Sequence, residues 1–186
     1  AIRTADWGLL MTEPGVGCLP DRGTGKVVLC PIADDHYHFL GKRLPLRPMV
    51  GVIGTAPAGD PVSCFVPGVH GGNMDTADIA AGSLLYLPVF VPGALLAMGD
   101  LHAVMGDGEV GLTGLEVAGE VEVTVTVVKG MSLPYPLLKT ADEVAFITSA
   151  ETLDEALRLS VECMHTLLLR ETGLDADEAL MLMGLV

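Results

Sequence analysis

Hydrophobic and polar positions follow a period of two over most of the chain and change to a helical period only near the C-terminus. Lys26 to Ile32 and Met49 to Ile53 are short β-branched runs closed by Pro or Gly, and they read as strands. Ser83 to Val91 (SLLYLPVFV) reads as an apolar strand in which Pro88 marks an edge or a bulge. Glu120 to Val127 (EVEVTVTV) alternates strictly, as a strand with one face in water does, and Glu143 to Thr148 is a shorter strand. Gly71-Gly72-Asn73, Gly106-Asp107-Gly108 and Gly111 to Gly114 supply the turns. From Thr152, T-L-D-E reads as a capping box. The helix it opens runs to about Glu171 and buries Leu153, Leu157, Val161, Met164 and Leu168, and Gly173 stops it. Asp175 opens a second helix. The pattern predicts a mainly β fold with added C-terminal helices, α+β overall, divided into a β-rich domain over 1–150 and a helical segment over 151–186 packed on it.

One uncharged stretch, 79–99, has the length of a membrane span, but Pro88, Pro92 and Gly93 would break a helix there. Composition narrows the function. The 186 residues carry 10 Lys+Arg against 24 Asp+Glu, a formal charge of -14, which argues against nucleic acid or an anionic membrane as partner. The 4% of aromatic residues argues against stacking platforms for bases or sugars. Cys18, Cys30, Cys64 and Cys163 lie far apart with no C-x-x-C pair, so reduced thiols are expected rather than a disulfide framework or a structural zinc module. With no leader segment in view, the expected location is cytoplasmic. The apolar run Ala179 to Val186 must be covered by missing chain or by another subunit, so a homo-oligomer is expected.

Chemistry concentrates in one zone. Between Pro48 and Val128 there is no Lys or Arg, yet nine carboxylates occur there. Glu120 and Glu122, on the alternating strand, read as solvated. Asp75, Asp100, Asp107 and Glu109 stand among Gly and apolar residues, where a carboxylate keeps a proton, finds donors or meets a cation. Asp100 and His102 form a D-x-H pair that a strand points to one face, so oxygen and nitrogen could share an ion. H-G-G-N-M-D reads as a tight loop in which His70, Asn73 and Asp75 present an imidazole, an amide and a carboxylate, and Gly71 and Gly72 let backbone amides approach a ligand. Asp35-His36-Tyr37-His38 has a metal spacing but no further ligand nearby and reads as a solvated edge. No nucleophile elbow or phosphate loop is present.

These segments carry a resemblance. P-G-V-H-G-G-N-M-D (Pro67 to Asp75), L-Y-L-P-V-F-V-P-G-A-L (Leu85 to Leu95) and G-D-L-H-A-V-M-G-D-G-E-V (Gly99 to Val110) resemble the acetamidase/formamidase family. Asp6-Trp7-Gly8 and Pro48 to Pro57 resemble further segments of it. The resemblance implies a β-sandwich-like core, residues 1–150 being the catalytic-type domain, and cleavage of the C–N bond of a small linear amide to a carboxylate and ammonia. It also implies a β domain N-terminal to the present chain that contributes to the site, and a shorter piece after it.

The reaction expected is metal-assisted, with a divalent ion, zinc first, held by His70, His102 and Asp100. Asn73, Asp75, Asp107 and Glu109 are the expected catalytic groups, Glu109 as proton carrier, and Gly71 and Gly72 are expected to bind the substrate carbonyl. The competing readings are a metal-binding β-domain or amidase subunit without catalysis of its own, and a glycan- or peptide-binding sandwich.

Overall fold

The computed structural model describes residues 1–185; the last residue of the expected helical segment and apolar end, Val186, lies outside the described residues. Among the described residues twelve strands precede two helices. In chain order they are β1 (Ile2–Met11), β2 (Val27–Ala33), β3 (His36–Phe39), β4 (Lys42–Pro45), β5 (Met49–Gly54), β6 (Pro67–Gly68), β7 (Gly71–Asn73), β8 (Leu84–Tyr86), β9 (Ala97–His102), β10 (Glu116–Val121), β11 (Leu137–Lys139) and β12 (Val144–Phe146), followed by α1 (Leu153–Thr172) and α2 (Ala176–Met183). Nine strands form one sheet in the order β4-β3-β2-β1-β10-β9-β5-β7-β6, and β12-β11-β8 form a second. Every named pair is antiparallel, and short turns join β2–β3, β3–β4, β6–β7 and β11–β12.

The two sheets share a core. Val50, Ile53 and Leu101 of the large sheet are buried with Leu138 of the small one, and Leu85 and Ile147 pack against them. The fold is therefore mainly β and sandwich-like, as expected. At the other end of the large sheet Cys30, Ile32, Ala103 and Leu115 are buried together. Cys30 and Cys163 are buried, Cys18 and Cys64 are exposed, and all four are free.

Several boundaries differ from the sequence pattern. The apolar run from Ser83 contributes only Leu84–Tyr86 to a sheet, because the ladder to β11 ends at Tyr86 and Pro88 follows two residues on. The alternating run after Glu120 forms a strand only to Val121; β10 begins earlier, at Glu116, where β1 and β9 offer partners. Periodicity marks a segment able to be a strand, but a partner makes it one.

The positions of the helix caps were legible, although Thr152 makes only its own half of the expected capping box. Thr152 accepts a hydrogen bond from the Glu155 N–H at 3.3 Å, Gly173 ends α1 in the left-handed conformation, and Asp175 and Glu178 form a full capping box on α2. The buried face of α1 was not. Leu153, Leu157 and Val161, expected in the core, are 89%, 64% and 42% exposed, and Cys163 is the buried residue. No described helix is long and apolar enough to cross a membrane.

Candidate metal centre

His102 closes β9, with Met49 of β5 on one side and Glu116 of β10 on the other. These partners leave its ring 1% exposed. Four carboxylates converge on its Nε2: Glu116 at 3.2 Å, Asp100 at 3.5 Å, Glu109 at 3.7 Å and Asp75 at 4.0 Å. None of these contacts is aligned as a hydrogen bond, so both ring nitrogens and Asp75 Oδ1 are buried without a partner. An unpaired buried polar group is costly, and here two of them, His102 Nε2 and Asp75 Oδ1, lie 4.0 Å apart.

Three of the four carboxylates are delivered by local bends, and Glu116 by its pairing with His102 across β9 and β10. Asp75, Asp100 and Glu109 lie in the left-handed backbone region, at φ 39°, 55° and 40°. Asp tolerates this conformation; Glu does so less readily, and such strain is typical of functional sites. In β9 the bend at Asp100 falls opposite Gly51, between the pairs Val50↔Leu101 and Val52↔Gly99. Gly51 also accepts hydrogen bonds through its carbonyl from the N–H groups of Met74 and Asp75, at 3.1 and 3.2 Å, which fixes the loop carrying Asp75. A Cβ at Gly51 would lie 2.5 Å from Asp75 Oδ1 and 2.7 Å from Asp100 Oδ2, so only glycine can floor the centre. Gly114 plays the matching part on the other side. Its N–H donates to Glu109 Oε1 at 2.6 Å, and a Cβ there would lie 2.6 Å from His102 Nδ1.

The electrostatics follow from burial without a cationic side chain. Among the described residues no Lys or Arg pairs with these four carboxylates. Burial raises the Asp75 carboxyl above its usual range, against the opposing pull of His102 and with a further push from Asp100. Burial and then the charge of Asp75 raise Glu109, opposed by the Gly114 N–H. Glu116 is pushed up to about 8, by burial first and then by Asp100. Asp75–His102–Glu109 and Asp100–His102–Glu116 each bring three ligand atoms within 4.8 Å of one another. The residues therefore fit a divalent cation: a buried imidazole without partner, an unpaired carboxylate oxygen, and negative charge with nothing to balance it.

A pH dependence follows. The folded chain binds the Glu116 proton more tightly than the unfolded chain, whose carboxyl titrates near 4.5. The resulting stabilisation is complete below pH 4.5 and is lost as pH rises through about 8. With chelator present, Tm should therefore fall between pH 5 and pH 8. A divalent ion competes with those protons, so its affinity and the stabilisation it brings should grow over the same interval. Thermal denaturation with chelator and with zinc checks both slopes.

Not all predicted site residues meet here. His102, Asp100, Asp75 and Glu109 do. His70 does not: its carbonyl pairs with the N–H of Thr55, six residues along β5 from Met49, the partner of His102. That places the two histidines roughly 20 Å apart along the sheet, too far to share an ion within this chain. The His70 ring lies instead against the hairpin glycines, since a Cβ at Gly68 or Gly72 would come within 2.9 or 3.0 Å of it.

Asp107 is exposed at the tip of the Gly106–Gly108 turn and belongs to neither ligand group. Gly71 and Gly72 are strand residues between β6 and β5, and their positive φ and the nearby carbonyls of Ile53 and Val66 explain glycine without any ligand. Asn73 donates through Nδ2 to the Phe65 carbonyl at 3.4 Å, leaving the acceptor Oδ1 buried without a partner. Glu120 and Glu122 are exposed, as expected. Sequence reasoning missed Glu116, Gly51 and Gly114. Glu116 is the cross-strand partner of His102, a relation visible only once β9 and β10 are paired. Gly51, in P-M-V-G-V, carried a signal: a glycine inside a strand marks close approach by another group.

Fold and centre together define a mainly β protein with an acidic, single-histidine centre held by strained backbone bends. Residues 62–145 match the sequence model of the Acetamidase/Formamidase family. The chain is 37% identical over 97 residues to an acetamidase of Mycolicibacterium smegmatis, a match covering 47% of this chain and 24% of that protein. The solved structure of a predicted acetamidase/formamidase from Thermoanaerobacter tengcongensis superposes with a TM-score of 0.94 at 47% identity, over 97% of this chain and 61% of that one. The acetamidase of Bacillus halodurans gives 0.93 at 47% identity, over 98% and 63%. The family's sequence model matches less than half of this chain, which spans about a quarter of the M. smegmatis protein and about three fifths of the two solved chains it is similar to.

Proposed function

We propose that the intact protein hydrolyses a small linear amide of the formamide or acetamide type to a carboxylate and ammonia, and that the His102 centre of this chain holds the divalent ion the reaction uses. The observation that carries this reading is the buried His102 ring, unpartnered at both nitrogens and ringed by four carboxylates, in a chain similar to proteins named acetamidase. His102 with Asp100 and Glu116, or with Asp75 and Glu109, would hold the ion, and zinc is the first candidate. Bound there, a divalent ion polarises an amide carbonyl and makes water a competent nucleophile near neutral pH.

With His102, Asp100 and Glu116 holding the ion, Glu109 is free to be the proton carrier. Its carboxyl is raised by burial, and the Gly114 N–H orients Oε1, so it can take a proton from the attacking water and deliver it to the departing nitrogen. The leaving group then departs as ammonia. Asn73 offers a buried acceptor suited to an amide N–H. The four carboxylates favour a neutral substrate and repel the carboxylate product. Cytoplasmic location and assembly into a homo-oligomer belong to the same proposal. Light scattering on the intact protein at low concentration should give at least a dimer, and a monomer would remove that part.

Ammonia release from formamide and acetamide by the intact protein is the test. Glu109→Gln should lower turnover by roughly 10²–10⁴-fold while the ion stays bound. An empty site in Glu109→Gln would make Glu109 a ligand, and unchanged turnover would remove it from the mechanism. Glu120→Gln and Glu122→Gln, on the exposed surface, should leave turnover unchanged.

A further inference from the structure

The ladder between β1 and β10 stops at Leu9↔Glu116. At the register of Gly8↔Val117 and Leu9↔Glu116, its continuation would set Met11 opposite Gly114. Leu115 turns its N–H to the Val104 carbonyl and its own carbonyl to the Ala103 N–H, each at 2.8 Å and both on the β9 side. Alternation along a strand then turns the N–H of Gly114 toward β1 and Met11. That N–H goes elsewhere, donating to Glu109 Oε1 at 2.6 Å. A side chain satisfies Met11 instead. The Met11 N–H donates to Thr113 Oγ1 at 3.0 Å, and the Thr113 hydroxyl donates to the Met11 carbonyl at 3.4 Å.

We propose that Thr113 is a positioning residue for Glu109: by taking the place of Gly114 on Met11, it frees the Gly114 N–H to hold the Glu109 carboxylate beside His102. This rests on the reading of Glu109 as proton carrier. Without the hydroxyl, the Met11 N–H and carbonyl lose their partner, and unpaired backbone groups are costly. The Gly114 N–H, set opposite by the register, is the donor able to satisfy that carbonyl, and turning back to it would release Glu109. Two further contacts hold the base of the loop: Leu112 bridges Thr12, and the Cys18 N–H donates to the Val110 carbonyl at 3.1 Å. Both are main-chain contacts that other side chains would permit, whereas the Met11 bond needs a hydroxyl. Within the loop Glu109 and Leu112 hold φ of 40° and 122°. Residues with side chains keep such values only where the surrounding structure fixes the chain.

Thr113→Val keeps the shape and removes the hydroxyl, Thr113→Ser keeps the hydroxyl, and the two are compared in the intact protein. Loss of a group that orients a reacting one typically costs about 10–100-fold. Thr113→Val should lower kcat for ammonia release from formamide by that factor, with KM and bound metal unchanged, and Thr113→Ser should restore most of it. In a Glu109→Gln background Thr113→Val should cost nothing more, because the two residues act as one unit. Unchanged kcat in Thr113→Val, or a full further loss in the Glu109→Gln background, would overturn the proposal. The Gly114 amide proton, read by NMR on protein isotope-labelled at glycine, reports without turnover. Its short bond to a carboxylate holds it downfield, so it should move upfield in Thr113→Val and stay in place in Thr113→Ser. A Gly114 resonance unmoved by Thr113→Val would overturn the proposal even in an active enzyme. The expected movement in a protein that releases no ammonia would uphold the hold of Thr113 on Glu109 and overturn the amidase reading alone.

Discussion

Replacing His102 will empty the metal centre and abolish amide turnover. Its Nε2 is the one side-chain nitrogen that both candidate ligand groups among the described residues contain. Loss of a residue that merely supports a ligand weakens metal binding by about 10–100-fold, so loss of the shared ligand should cost more. His102→Ala also opens a cavity where the ring is 1% exposed, and truncations of buried side chains cost about 2–5 kcal/mol. His102→Gln keeps most of the volume and separates the two effects: it should fold, bind little metal and release no ammonia. Metal content determined on purified, folded His102→Gln decides the matter, and a normal ion count with normal turnover would show that the centre lies elsewhere.

Gly51→Ala should be nearly as damaging, although glycine to alanine in a strand is ordinarily mild. Its backbone is not in the left-handed region, so the penalty is steric. The added methyl meets Asp75 Oδ1 and Asp100 Oδ2, and also the Asp100 carbonyl at 3.0 Å. Side-chain tips can swing aside, but a carbonyl held in a strand moves only with its sheet. β5 cannot retreat either, because the Gly51 carbonyl accepts from Met74 and Asp75. Overpacking of this kind costs about 1–3 kcal/mol, and the displaced carboxylates should lower metal affinity by about 10–100-fold. Gly99→Ala, on neighbouring β9 with open space at its Cβ position, is the control and should bind metal normally. Equal affinity in the two variants would mean that Asp75 and Asp100 are not ligands.

The sequence showed what is local. The caps at Thr152 and Asp175 and the stop at Gly173 depend on residues within one turn of one another, and they stand where expected. Asp100 and His102 met as the D-x-H spacing implied, because a strand makes that relation two residues long. What could not be read depends on partners distant in sequence. Glu116 entered the centre through its pairing with His102, and His70 left it because β5 carries the two histidines apart. The Leu153–Leu157–Val161 stripe has a helical period, but a period does not say which face meets the sheet. Gly71 and Gly72 illustrate the same limit: a glycine pair signals close approach, and here the approaching groups are neighbouring strands.

Titrating zinc into the metal-free intact protein while recording ammonia release from acetamide or formamide tests whether a divalent ion at His102 serves amide hydrolysis. Release should be negligible without metal, rise with bound zinc, saturate when the His102 centre is filled, and stay flat in His102→Gln. Undiminished ammonia release from the metal-free protein, or a zinc-dependent rise that survives in His102→Gln, would contradict it.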